Sequence, residues 1–119
     1  MPHIVIAGPL KFENIYEEFE KEIHKIDDKT IIKYTDCFLN KDKNIVLMST
    51  VVIENQRPIS FYTIIMEKEN QITIRLDPIT DPEKTFGVKK SLALIAMKIL
   101  EKGNNLKITK TNLQDFITQ

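Results

Sequence analysis

The hydrophobic and polar positions predict a strand at the start of the chain, then a helix, then four consecutive strands. Residues 3–7 are mostly apolar and end at Gly8-Pro9, a pattern typical of a short buried strand closed by a turn. Four later strands are expected at residues 31–39, 45–53, 59–66 and 71–76. The breaks between these strands are short enough for antiparallel hairpins, so the four should form a meander.

Apolar residues at helical spacing predict a first helix over residues 12–26. They are Phe12, Ile15, Tyr16, Phe19, Ile23 and Ile26. They cover an arc of about 100°, which suffices for one core-facing stripe with Phe19 and Ile23 at its centre. Four glutamates lie in the N-terminal half of this segment, where carboxylates interact favourably with the positive end of the helix dipole. We therefore expect a long surface helix packed on the sheet.

A second helix is expected from Pro82 to Lys102. Asp81 suits the N-cap, Pro82 suits the first helical position, and Gly103 suits the residue that ends a helix. A last strand is expected at residues 106–109. Residues 111–114 then resemble a capping box, which predicts a short terminal helix over residues 112–118.

The predicted order of elements favours the α+β class. Strands that follow one another between two helices form an antiparallel sheet, unlike the alternating strands and helices of a parallel sheet. We expect a single domain over residues 1–119. It should contain a mainly antiparallel sheet of four to six strands with two long helices on one face. The expected order is β-α-β-β-β-β-α, followed by the short strand and the short helix.

The central strands of the meander are apolar on both faces. In the second of them, one face carries Ile45, Leu47, Val51 and Ile53 and the other carries Val46, Met48 and Val52. An antiparallel sheet with one face in water alternates apolar and polar residues, so both faces should be covered. We therefore predict a homo-oligomer, most simply a two-fold dimer. The alternative is that the C-terminal segment covers the second face with Leu113, Phe116 and Ile117.

Composition and charge narrow the class of partner. The chain is 42% apolar and 29% charged, as is average for a soluble globular protein, and its fifteen lysines against two arginines fit AT-rich coding or a thermophile. Seventeen basic and seventeen acidic residues cancel, so nothing in the net charge favours nucleic acid. No apolar run approaches the roughly 18–20 residues of a membrane span. With a single cysteine and no secretory signal, we expect a cytoplasmic protein that binds neither nucleic acid nor membrane.

Two groups of residues that could bind a metal or act as a nucleophile are better explained as ordinary structural residues. Glu20 and His24 would lie one turn apart on the polar side of the predicted helix, but two metal ligands without a third favour a solvated helix face. Cys37 has neither a helix N-terminus nor a cation beside it in sequence, which favours a small packed residue. We expect neither a metal nor a cofactor, and the sequence identifies no small-molecule ligand.

Pro2 and Arg75 are the candidate catalytic residues. If Met1 is removed, Pro2 becomes the N-terminus, and its free secondary amine can act as a general base. The opening Met-Pro-His-Ile-Val-Ile resembles the start of tautomerase superfamily proteins, which implies an isomerase with Pro2 as its base. Arg75 could hold a carboxylate through two parallel hydrogen bonds. That family lacks a four-stranded meander of this length. Because no acid–base, nucleophile or metal set converges in the sequence and apolar surface is in excess, a non-catalytic binding or assembly protein is our first hypothesis. A tautomerase-like isomerase is the alternative.

Overall fold

Period-two strands and tight turns build a seven-stranded sheet in the computed structural model, which describes residues 1–117. The strands are β1 (His3–Ala7), β2 (Glu22–Lys25), β3 (Thr30–Leu39), β4 (Ile45–Glu54), β5 (Arg57–Lys68), β6 (Gln71–Leu76) and β7 (Lys107–Thr111). Their order across the sheet is β2-β3-β4-β5-β6-β1-β7, and every neighbouring pair is antiparallel. The predicted meander is therefore the run from β3 to β6.

Two hairpins of the meander turn through two residues that all adopt positive φ. Asn55 and Gln56 join β4 to β5 with φ of 52° and 68°, and Glu69 and Asn70 join β5 to β6 with φ of 54° and 63°. Two consecutive positive φ angles are characteristic of the type I′ turn, whose twist matches that of paired strands. These turns help to fix the register, and the register decides which side chains share a face.

Two helices, α1 (Phe12–Glu18) and α2 (Phe86–Leu100), cover one face of the sheet. Beneath them the strands bury Ile4, Ile6, Ile32, Val46, Val52, Ile65, Ile72, Ile74 and Leu76 completely. A Cβ on Gly87 would lie 2.5 Å from a methyl of Val52, so the first turn of α2 packs directly against β4. The α+β class and the antiparallel sheet are thus confirmed. No helix within residues 1–117 is long and apolar enough to cross a membrane.

The predicted helix over residues 12–26 is wrong in its second half. α1 has only seven residues, and β2 follows it as a strand paired with β3, which raises the strand count from the expected four to six to seven. Ile23, expected at the centre of a buried stripe, is 70% exposed. The reason is tertiary: β3 presents backbone groups that need partners, and pairing with β2 satisfies them.

α2 begins four residues later than predicted. Its N-cap is Thr85 and not Asp81, and the Thr85 hydroxyl accepts a hydrogen bond at 3.2 Å from the N–H three residues further on. Glu54, at the end of β4, accepts hydrogen bonds from the Gly87 N–H at 3.1 Å and from the Thr85 hydroxyl. The helix therefore begins where a carboxylate from the sheet satisfies its first-turn donors.

The C-terminal segment differs in length from its prediction. β7 extends two residues beyond the expected strand, and a single 3-10 turn at Gln114–Phe116 takes the place of the helix predicted over residues 112–118. Residue 118, the last of that predicted helix, lies outside the described residues. The Thr111 hydroxyl accepts a hydrogen bond from the Leu113 N–H at 2.9 Å, two residues on. The N-cap of the turn is Leu113, which has no side-chain cap, so the capping-box prediction is wrong.

Candidate functional site

The face of the sheet opposite the helices is rich in apolar side chains. Strand alternation places Val5, Ile31, Phe38, Ile45, Leu47, Val51, Ile53, Tyr62, Ile64 and Met66 on it, and we call this set the open face. Every one of these side chains is at least partly exposed, up to 47% for Phe38. A contiguous exposed apolar patch usually marks an interface.

The alternative in which the C-terminal segment covers the open face is wrong. Leu113 is buried in the core on the helix side of the sheet. The Phe116 ring lies 5.7 Å from the ring of Phe86 on α2, and the Lys90 ammonium donates to the Phe116 carbonyl at 3.1 Å. Among residues 1–117, both helices and the C-terminal turn therefore lie on the same side, and the open face has no cover within the subunit.

Polar residues also lie on the open face, among them Lys33, Ser60 and Thr73, and two sets of polar residues bear on whether the face needs a partner. Within the face, the Thr35 and Ser49 hydroxyls bond each other at 2.9 Å, so this pair needs no outside partner. Towards its margins, Asp36 and Arg75 have no ion-pair partner in the part of the chain that the structure describes, and the one side-chain hydrogen bond of Arg75 there goes to the Met66 sulfur at 3.5 Å. An apolar centre with charges at its margin is the usual anatomy of a protein interface.

The two edges of the sheet are protected against pairing with other strands. β2 has only four residues, and β7 exposes Lys107 and Lys110. Short edge strands and edge lysines are features that discourage edge-to-edge association. If this sheet associates with another surface, its face is better suited than its edges.

A second candidate site is a groove on the helix side of the sheet, between the end of α1, β2 and the C-terminal half of α2. We call it the α1–α2 groove. Its volume is about 250 Å³, and its apolar lining comes from Ile15, Phe19, Tyr34, Met48, Leu94 and Ile95. Its rim is charged, so the groove combines an apolar interior with a polar entrance.

Ion pairs tie the two sides of this groove together. Glu22 on β2 is bonded at 2.8 Å to His24 and also pairs with Lys98 on α2. The Lys102 ammonium lies 2.6 Å from the carboxylate of Glu18, at the end of α1. Both lysines of the rim are therefore already neutralised by carboxylates of the same rim.

Tyr34 forms a fixed wall of the groove. Its hydroxyl donates to the Ser91 carbonyl at 2.6 Å, and burial raises the pKa of this hydroxyl well above its usual value. The His24 ring packs edge-on against the Tyr34 ring, with 5.8 Å between ring centres. Because its proton is held by Ser91, Tyr34 presents its ring to the groove and not an available acid.

Pro2 directly precedes His3, which pairs in register with Arg75, so the two candidates are close along the sheet. Arg75 belongs to the open-face side, whereas the Pro2 side chain is buried and strand alternation directs it to the helix side. The Met1 carbonyl accepts a hydrogen bond from the Asn112 amide at 2.8 Å. The Pro2 hypothesis stays a prediction that the mass of the N-terminus tests, because a retained Met1 would keep the Pro2 nitrogen in an amide.

The other sequence candidates also take new positions. Cys37 is buried, and desolvation, with a smaller contribution from the Asp36 charge, raises the pKa of its thiol to about 11. It is therefore a protonated, packed residue at neutral pH. Glu20 and His24 no longer lie one helical turn apart, since His24 belongs to β2. Within residues 1–117 no three metal-ligating side chains form a group.

The α1–α2 groove could not be predicted together with a helix over residues 12–26, because one wall of the groove is β2. The alternation in residues 22–25, followed by the polar residues Asp27 and Asp28, is a short-hairpin signal. It was masked by Ile23 and Ile26, which continue the helical spacing of the residues before them.

The chain matches no protein-family model, no curated protein and no solved structure. Its function is therefore inferred from the geometry of the open face and the α1–α2 groove. These two surfaces lie on opposite sides of the sheet, so each can be altered without touching the other.

Proposed function

We propose that this protein is a non-catalytic assembly module that forms a homodimer by packing the open faces of two subunits together. The observation that carries the proposal is the open face itself, a set of partly exposed apolar side chains without cover among residues 1–117. Removing such surface from water is the main driving force of most protein association. We place this role in the cytoplasm, where a lone cysteine stays reduced.

The open face is large enough for a stable dimer. β3 and β4 have ten residues each and β5 has twelve. At a spacing of about 4.8 Å and a rise of about 3.3 Å they cover about 510 Å². β6, which presents polar residues to this face, and β1 raise the area to about 680 Å² by the same spacings. A standard interface buries about 600–1,000 Å² on each partner, so the whole face fits one subunit of a dimer.

A second copy of the chain is the occupant that fits this face best. It supplies an equally apolar surface, and a two-fold arrangement closes so that neither open face remains exposed. Two sheets packed face to face align within about 30°, which brings the full length of the strands into contact. The margins of the open face carry charges of both signs, Asp36 and Arg75, that have no ion-pair partner within the described part of the subunit. The net charge of zero adds no repulsion between two subunits.

Sedimentation at micromolar concentration tests the proposal. The wild type should sediment at twice its 13.9 kDa chain mass. Leu47→Lys places a charge in the middle of the open face and should give a folded monomer, because the dimer would have to bury an unpaired ammonium. Circular dichroism verifies the fold, and the milder Leu47→Gln serves if the lysine variant does not fold.

Ile79→Lys is the matched control. Ile79 is an exposed apolar residue in the loop before α2, outside the open face, so this variant should remain a dimer. A monomeric wild type, or a folded Leu47→Lys variant that still dimerises, would contradict the proposal.

A further inference from the structure

We propose that the α1–α2 groove binds a small amphipathic cation, an amine carried on an apolar body. The groove lies on the helix side of the sheet, so this inference goes beyond the proposed dimer and does not depend on it. Its volume of about 250 Å³ falls just below the roughly 300–1,000 Å³ of pockets that hold drug-sized ligands. The expected ligand is therefore smaller than a typical cofactor.

The charge of the rim selects a cation over an anion. The rim has four carboxylates, two lysines and one histidine, which bonds Glu22: Glu18, Glu20, Glu22 and Glu101 against Lys98, Lys102 and His24. Lys98 and Lys102 are already paired with Glu22 and Glu18, so a bound anion would have to break an ion pair. Glu20 and Glu101 have no ion-pair partner within residues 1–117. They are available to an ammonium group, and the groove walls concentrate their field.

The position of the groove along α2 adds to this preference. The groove is lined by the second half of a fifteen-residue helix, and Glu101 is the C-cap of that helix. The carbonyls of a helix C-terminus carry partial negative charge, which stabilises a cation placed within about one turn of them. The helix dipole and the free carboxylates therefore act in the same direction.

The lining suits the apolar part of the same ligand. Phe19 and Tyr34 contribute aromatic rings, which bury apolar groups and also attract a nearby ammonium. Because the Tyr34 hydroxyl is occupied by Ser91, the ring is the part that remains to contact a ligand. Ile15, Met48 and Leu94 complete the surface against which an apolar body would be desolvated.

Three probes that share one body and differ in their head group test the inference on the intact protein. 2-Phenylethylamine, 2-phenylethanol and 3-phenylpropanoate carry an ammonium, a hydroxyl and a carboxylate. In a titration followed by amide NMR shifts, the amine should bind about tenfold more tightly than the alcohol, and the carboxylate most weakly. The largest shifts should fall at Phe19, His24 and Leu94. Equal affinity for all three probes, tightest binding of the carboxylate, or no shift at about 10 mM amine would overturn the inference.

A double substitution, Glu20→Gln with Glu101→Gln, tests which residues select the cation. It should weaken the amine about three- to tenfold, leave the alcohol unchanged, and remove much of the salt dependence of amine binding. Glu69→Gln, in the exposed turn between β5 and β6, is the matched control and should bind the amine as the wild type does. Unchanged amine affinity in the folded double variant would overturn the assignment.

Discussion

The two faces of the central strands are built from the same kinds of residue and differ in what covers them. Ile65 and Ile64 are neighbours on β5, yet Ile65 is fully buried beneath the helices and Ile64 is partly exposed on the open face. They are the same residue type at adjacent positions. The comparison shows that an apolar residue in a strand favours burial, whereas the rest of the fold decides whether the same subunit buries it.

The polar groups of the two faces differ in the same way. On the helix side, the Thr50 and Thr63 hydroxyls bond each other at 3.1 Å, and no buried side-chain polar atom within residues 1–117 lacks a partner. On the other side, Asp36 and Arg75 have no ion-pair partner in that part of the chain. The helix-side core is complete in one subunit, as expected if only the open face requires a second.

The largest expected effect is a difference in stability loss between truncating a residue on the helix side and truncating its neighbour on the open face. Ile65→Ala should lower the free energy of unfolding by about 3–4 kcal/mol, because it leaves a cavity in a close-packed core. Ile64→Ala should cost less than about 1.5 kcal/mol in the monomer, because its side chain is already partly in water. Urea denaturation at a concentration low enough for monomers measures both. Equal losses would mean that the open face is as well covered as the helix side.

A smaller loss of stability is expected when the contacts that satisfy the first turn of α2 are removed. Thr85→Ala and Glu54→Gln should each cost about 1–2 kcal/mol, because both residues satisfy donors in the first turn of α2. Asp81→Ala should change stability by less than about 0.5 kcal/mol, since Asp81 lies outside the helix. Thermal or urea unfolding of the three variants distinguishes them, and a loss at Thr85 no larger than that at Asp81 would contradict Thr85 as the cap.

The last expected effect appears only at high pH and comes from the covered face of the sheet. Folding raises the pKa of the Cys37 thiol from 9.0 to about 11, so the folded state favours the protonated thiol. The stability from this group is complete below about pH 9 and is lost as the pH rises towards about 11. Wild-type stability should therefore fall more steeply over that range than that of Cys37→Ala. Parallel pH profiles for the two proteins would contradict the burial of this thiol.

A cysteine introduced on the open face tests whether a second subunit covers that face. Ser49→Cys, introduced into Cys37→Ala, places the thiol on the open face at a position that is partly exposed in one subunit. It should be alkylated readily near neutral pH in a monomer and protected in a dimer. Protection that does not depend on protein concentration would argue against cover by a second subunit.

Much of the fold could be predicted from local pattern. The strands from β3 to β6 lie within two residues of their expected bounds. Their signals are local, because short apolar runs bounded by polar breaks act over a few positions. The candidate sites were harder to predict from the sequence. The pairing of Glu22 with Lys98 joins residues of two elements far apart in the chain, and no spacing rule reveals it.

The sequence by itself determined the meander, the α+β class and the presence of apolar residues on both faces of the sheet. Only the tertiary structure decided that residues 22–25 form a strand and not the end of a helix, because the partner that satisfies their backbone is β3. It likewise decided where α2 begins, since the carboxylate that completes its first turn comes from Glu54 on β4. Which face remains open followed from the C-terminal segment packing against α2. In each case the deciding contact joins residues distant in sequence, and local propensity carries no information about such contacts.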